Sequence, residues 1–220
     1  MPLLASAKGG VDFEPLSVGL HHAVCYGVVD LGTQPTDNPQ FKASRKVAFL
    51  FEVPSERLEF EKDGVHKNLP RGVNGIWTLS LGKRSKLLPM LESWRGRPFT
   101  AQELEGFDVF SVLNANCFIN IIHKERDGKT FANIANVNPV PKGTVKLKPE
   151  NPNITFALPL DMMDLVFPSN MPEWMQIKVK QSNEFQFWLE HKDDPSSPPA
   201  TEGNGAAVVE EFDDSDVPFN

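Results

Sequence analysis

The chain has 220 residues and is 40% hydrophobic, enough for one mid-sized domain with extensions or for two small domains. No run reaches the ~20 apolar residues of a membrane span, Met1 to Gly10 lacks the apolar stretch of a signal peptide, and the two cysteines, Cys25 and Cys117, supply neither a disulfide framework nor a four-cysteine zinc module. Charge is unevenly divided: residues 1–180 hold 21 of the 22 Lys and Arg but 19 of the 29 Asp and Glu, so a mildly basic body precedes a strongly acidic end, as in a nucleic-acid surface with an acidic tail or an ordinary domain with a solubilising one.

Residues 1–18 read as a lead-in of weak pattern. Leu20 to Leu31 is rich in Val, Ala and Leu and predicts a first strand, followed by a polar loop with Pro35 and Pro39. Ser44 to Val53 predicts a second strand that stops at Pro54. Glu56 to Pro70 is charged and reads as a long loop or a hairpin extension, and Gly75 to Leu81 as a third strand. Leu87, Leu91 and Trp94 recur at i, i+4, i+7, the spacing of one helix face. Thr100 and Glu103 form a capping box, which announces a second helix start. Two strand-like runs follow, Asn116 to Lys124 and Thr130 to Val137, joined by Asp127–Gly128, the pair a two-residue hairpin turn prefers. Pro172 to Gln181 predicts a helix carrying Trp174, Met175 and Ile177. Asp193 to Gly205 is rich in Pro, Ser, Gly and charge, and a disordered segment is expected there.

Three strands, a helix and a hairpin, in that order, are one way to build a mainly β, five-stranded OB-fold barrel with its helix between strands 3 and 4. The expected organisation is a lead-in over 1–18, an OB-fold DNA-binding domain over 19–145, a C-terminal extension with a helix over 146–190, and a disordered acidic tail with a hydrophobic tip over 191–220.

The hairpin turn fixes a register in which opposed residue numbers sum to 255, and opposed side chains share a face. One face then carries Arg126, Lys129, Lys124, Phe131, Asn120 and Asn133, and the other, core face carries Cys117, Ile119, Ile121, Ala132 and Ile134. A ring beside three cations and two amides suits a single strand of nucleic acid: cations track phosphates and the ring stacks on any base. The bland alternative is a solvent face with one stray phenylalanine. In the first strand Ala23, Cys25, Gly27, Val29 and Leu31 look interior. Tyr26 falls on the opposite phase and is a stacking candidate, or a tyrosine packed with its hydroxyl wet. In the second strand Val47, Phe49, Phe51 and Val53 look interior, while Lys46, Ala48, Leu50 and Glu52 do not. Trp77 shares the phase of Leu79 and Leu81, which reads as core before stacking, and it and Lys46 are kept as DNA-binding candidates. Lys83, Arg84 and Lys86 cluster at the mouth of the helix, where they grip a phosphate backbone or are simply solvated.

No P-loop and no nucleotide-binding glycine fingerprint is present, so no catalytic activity and no cofactor are expected. His21, His22 and Cys25 are close in sequence, but on a strand His22 points away from the other two, and no metal is expected. Asp161 and Asp164 lack a third acid.

The last residues, Asp213–Asp214–Ser215–Asp216–Val217–Pro218–Phe219, place acids before a small apolar tip. They resemble the acidic, Pro-Phe-ending tails of bacterial single-stranded-DNA-binding proteins, which recruit replication and repair enzymes. The resemblance implies partner binding by Asp213, Asp214, Asp216, Val217, Pro218 and Phe219. One departure is Asn220, which displaces the terminal carboxylate from the phenylalanine by one residue. Within the body, Arg45–Lys46–Val47, Leu91 to Thr100 (LESWRGRPFT), Gly128 to Ile134 (GKTFANI) and Pro172–Glu173–Trp174 are similar to a phage family of OB-fold single-stranded-DNA-binding-like proteins, over roughly residues 20–190. This likeness implies sequence-independent binding and protection of single-stranded DNA in phage replication or recombination, in the cytoplasm of an infected bacterium. A protein–protein adaptor that binds no DNA is the alternative. Homo-oligomerisation stays open; Trp174, Met175, Phe185, Phe187 and Trp188 either pack back on the barrel or build a dimer.

Overall fold

The computed structural model describes residues 14–62, 64–159 and 162–192. The expected partner-binding residues Asp213, Asp214, Asp216, Val217, Pro218 and Phe219, and Asp161, lie outside the described residues.

A mainly β architecture is observed, built on a curled antiparallel sheet. In chain order come β1 (Gly19–Gln34), β2 (Ser44–Lys62), β3 (Val65–Thr78), α1 (Leu87–Arg95), α2 (Ala101–Glu105), β4 (Asn116–Arg126), β5 (Lys129–Asn138), β6 (Ile154–Phe156), α3 (Glu173–Lys180) and α4 (Asn183–His191). The strand order is β3-β2-β1-β4-β5. β1 is long enough to serve two neighbours on one edge: its first half pairs with β4 from Gly19↔Ile121 to Val24↔Asn116, and its second half pairs in parallel with β6 at Gly27–Val29. The helices expected between the third and fourth strands are present, and Thr100 and Glu103 close the capping box of α2 from both sides.

Four irregularities curl this sheet. Tyr26 and Leu31 are extra residues in β1 opposite β2, residues 54–56 are extra in β2, and Ala135 is extra in β5. Each bends its strand, and each inserts an odd number of residues, which inverts the alternation of faces beyond it. The shift at Tyr26 corrects the expected phase of β1. Ala23 and Cys25 point into the main core as expected, but beyond the bulge it is Val28 that does so, while Val29 and Leu31 turn to the opposite side. Pro54 does not end β2. It falls in the bulge, where no ladder hydrogen bond is required of it, and β2 continues to Lys62 as a hairpin extension paired with β3.

The main core lies on the concave side of the sheet. Val47, Phe49, Phe51 and Val53 meet Ile119, Ile121 and Val137 there, and Leu87, Leu91 and Trp94 of α1 close one end. Trp94 packs at 5.3 Å from Phe51 and edge-on at 6.4 Å from Phe49, and its indole N–H donates to the Asn116 carbonyl at 2.9 Å. A second core corrects the reading of Ala48 and Leu50 as outward and open. They are buried with Val29 and Leu31 beneath Ile154, Phe156, Met162, Met171, Met175 and Val179 of the C-terminal extension. Glu52, on the same outward phase, is fully buried; its carboxylate accepts from the Glu150 and Asn151 backbone N–H groups and from the Asn151 side-chain amide, at 2.6 to 2.9 Å. Among the described residues no helix is long and apolar enough to cross a membrane.

Candidate functional site

The β4–β5 turn forms as its residues dictate. Asp127 and Gly128 both take positive φ, 52° and 71°, the left-handed pair that a two-residue hairpin needs. The derived register holds for Arg126↔Lys129, Lys124↔Phe131 and Ile122↔Asn133. Phe131 is 47% exposed, on the face away from the core and opposite Lys124. Asn133 shares that face and donates its side-chain amide to the Phe131 carbonyl at 3.2 Å. The register fails at Asn120, which faces Asn136 instead of Ala135 because of the β5 bulge.

β5 and β3 are the two ends of the strand path. Between them lies a cleft of about 830 Å3, lined on one side by Arg126, Lys129, Phe131 and Asn133 and on the other by Leu58, Pro70, Arg71 and Asn74. Leu16 and Glu14 form part of its wall, and Arg71 donates to the Glu14 carbonyl at 2.5 Å. Lys124 and Asn120 are not in its lining; they lie on the outer face of the hairpin beside it.

A second cleft, about 980 Å3, opens between the β1–β2 loop and the segment entering α1. It gathers Lys46, Trp77, Lys83, Arg84 and Lys86, all expected on sequence grounds, with Phe41, Lys42 and Ile76, which were not. Among the described residues, five cations and no carboxylate line it. Lys46 Nζ donates to Thr78 Oγ1 at 2.7 Å, which holds its ammonium at the rim. Phe41 and Ile76 are exposed at 65% and 45%. Trp77 has a divided role: its ring lies across Gly75 and meets Phe49 edge-on at 5.5 Å, so one edge belongs to the core while the side chain also walls the cleft. The two clefts are joined by β3. Asn74 lines the first and Ile76 the second, a separation of roughly 7 Å along a strand.

Tyr26 is taken out of this surface. The bulge that makes it an extra residue tucks its ring against the second core, with its hydroxyl close to Gly72. Burial, then the neighbouring Glu52 carboxylate, push its phenol up to about 12. The histidines next to it in sequence are separately engaged: His21 Nε2 meets the Ser17 carbonyl at 2.8 Å, and His22 meets Asn116 Oδ1 at 3.0 Å while stacking on Phe118. Cys25 and Cys117 are both buried free thiols on the core side. Burial pushes Cys25 up to about 12 and raises Cys117 well above the ordinary thiol value.

No family model, curated protein or solved structure matches this chain. The chemistry of the two clefts is what bears on function. Sequence reasoning missed Arg71 because it falls between the charged stretch that ends at Pro70 and the strand expected from Gly75, and missed Phe41 and Lys42 because they follow a proline-rich loop. An aromatic beside a lysine in so polar a segment was the available signal.

Proposed function

We propose that this protein binds single-stranded DNA without sequence preference, on a surface that runs from the β4–β5 hairpin along β3 to the mouth of α1. The observation that carries this is the half-exposed ring of Phe131, set opposite Lys124 and sharing a cleft with Arg126, Lys129 and Arg71. Unpaired bases offer π-faces to such a ring, and their phosphates suit the cations around it. The second cleft supports the reading with five further cations and, among the described residues, no acid. Strand order β3-β2-β1-β4-β5 with helices between β3 and β4 supports an OB-type barrel, a fold that binds oligonucleotides across strands 2–3 and the adjoining loops. The resemblance of the motifs at Arg45–Val47, Leu91–Thr100 and Gly128–Ile134 to phage OB-fold single-stranded-DNA-binding-like proteins supports a role in phage replication or recombination in a host bacterial cytoplasm. There the acidic terminus, Asp213 to Phe219, recruits replication or repair proteins.

Fluorescence anisotropy with oligo-dT against duplex of equal length tests this. The single strand is expected to bind tighter, with log affinity falling linearly with log salt as counterions are released. Phe131→Ala is expected to cost about 1–3 kcal/mol of stacking. Lys124→Ala leaves the ring in place and is expected to flatten the salt slope instead. Equal affinity for both nucleic acids, or binding indifferent to salt, would falsify the proposal.

A protein–protein adaptor is the second reading. Its support is the exposed apolar side chains of the terminal helices, Trp174 and Ile177 on α3 and Phe187 and Leu189 on α4. That reading requires that the chain without residues 206–220 bind no oligonucleotide.

A further inference from the structure

Beyond the barrel, β2 and β3 continue as a two-stranded ribbon from Arg57↔Pro70 to Lys62↔Val65. A lone two-stranded ribbon is marginally stable in water. This one is secured at its base, where the Arg57 guanidinium reaches the Glu150 carboxylate at 2.7 and 3.1 Å and Asn68 Oδ1 at 2.6 Å. Its register sorts the side chains by chemistry. Leu58 faces Leu69 and Phe60 faces Lys67, while Glu59 faces Asn68 and Glu61 faces His66. Opposed side chains share a face, so both glutamates lie on one side and the apolar groups with Lys67 on the other.

The direction of the apolar side follows from β3, which has no extra residue anywhere along its pairing with β2. Val65, Lys67, Leu69, Arg71 and Val73 therefore share one phase. Val73 belongs to the main core, and Arg71 lines the first cleft, as does Leu58 from the opposite strand. The ribbon thus extends the concave face of the sheet past the cleft. It presents there Val65 and Leu69, 56% and 40% exposed, with Lys67 and no described carboxylate. Apolar surface with a cation and without acids complements bases flanked by phosphates.

We infer that the ribbon is a clamp on the bound strand: Leu58 and Leu69 cover bases seated against Phe131, and Lys67 meets a phosphate. This rests on the single-strand binding proposed above. A cover that engages after encounter acts on residence time, so its effect belongs in the dissociation rate.

Stopped-flow chase of labelled oligo-dT from the full chain measures this. Leu69→Ser is expected to speed release about tenfold with association changed little. Lys67→Ala is expected to lower the salt slope by about 0.7, the loss of one single-strand phosphate contact. Both side chains are exposed, so the fold tolerates the changes; Val65→Ser serves as an independent second variant with the same expected direction. If these variants release DNA at the wild-type rate and with its salt slope while Phe131→Ala releases faster, the clamp is overturned and the binding surface stands. If the wild-type chain holds no single strand, both fall together.

Discussion

Gly75 and Trp77 show how a single residue couples core and surface. A Cβ placed on Gly75 would lie 2.1 Å from Cη2 and 2.4 Å from Cζ3 of the Trp77 ring. The ring has little room to retreat, because its other edge meets Phe49, which is fully buried. Gly75→Ala must therefore lift the indole from the core, an overpacking cost of about 1–3 kcal/mol. A lowered Tm together with a changed near-UV circular dichroism signal is expected; an unchanged signal would mean that the ring is not held there. The same residue scale shows what pattern alone can deliver. The Asp127–Gly128 turn carries its own register, so Lys124, Phe131 and Asn133 were placed correctly from sequence. Tyr26 was not, because it is itself the extra residue of a bulge, and Asn120 keeps its expected face but not its expected partner, because Ala135 is extra on the strand opposite. A bulge adds one residue without any compositional mark, and every face assignment beyond it inverts.

At the scale of elements, α1 and α2 are latched by Glu103. Its carboxylate accepts from Arg97 at 2.8 and 3.1 Å and from Arg95 at 2.5 Å, while also capping the backbone N–H of Thr100 at 2.7 Å. The Arg95 side chain is fully buried, lies 4.4 Å from the centre of the Phe99 ring, and among the described residues has no hydrogen-bond partner at Nε and Nη1. Hydrogen bonds from Arg97, then from Arg95, hold the Glu103 carboxyl far below the ordinary value of 4.5. The sign follows from linkage: a folded-state value below the unfolded one gives stability that is present above 4.5 and lost as pH falls toward the folded value. Thermal melts of wild type and Glu103→Gln should therefore differ at neutral pH, with the variant less stable. The gap should close on acidification. A gap that is constant with pH would mean that the carboxylate charge is not what holds the latch. The C-terminal elements tell a different story about legibility. Ala48 and Leu50 alternate with Val47, Phe49 and Phe51, so the central part of β2 is apolar on both phases, the mark of a strand covered on both faces. That mark was present in the sequence. What covers the second face was not readable, because β6 has only three residues and α4 begins directly after α3. Their docking depends on long-range fits such as Ser182 against the positive-φ Gly32, and Glu184 on the Thr33 N–H and hydroxyl.

For the whole molecule, the proposed binding turns on two clefts set apart along one strand. Each alone offers a few contacts, and linking two weak sites through one ligand raises affinity without adding any contact type. Arg71 to Thr78 spans roughly 23 Å at the rise of a β-strand, so an oligonucleotide bound as proposed has to reach across that distance before it can engage Phe131 at one end and the Lys83–Arg84 cluster at the other. Affinity for oligo-dT is therefore expected to climb steeply with length and then level off, within the range of about 4–16 nucleotides that single OB folds occupy. Substitution separates the two ends. Lys83→Ala with Arg84→Ala should weaken long oligonucleotides and flatten their salt slope, yet leave the shortest ones, held at the hairpin, unchanged. Phe131→Ala should weaken both. Anisotropy titrations over a length series with these variants measure the pattern, and a double substitution in the second cleft that weakens short and long strands alike would show that the two clefts do not divide the strand between them.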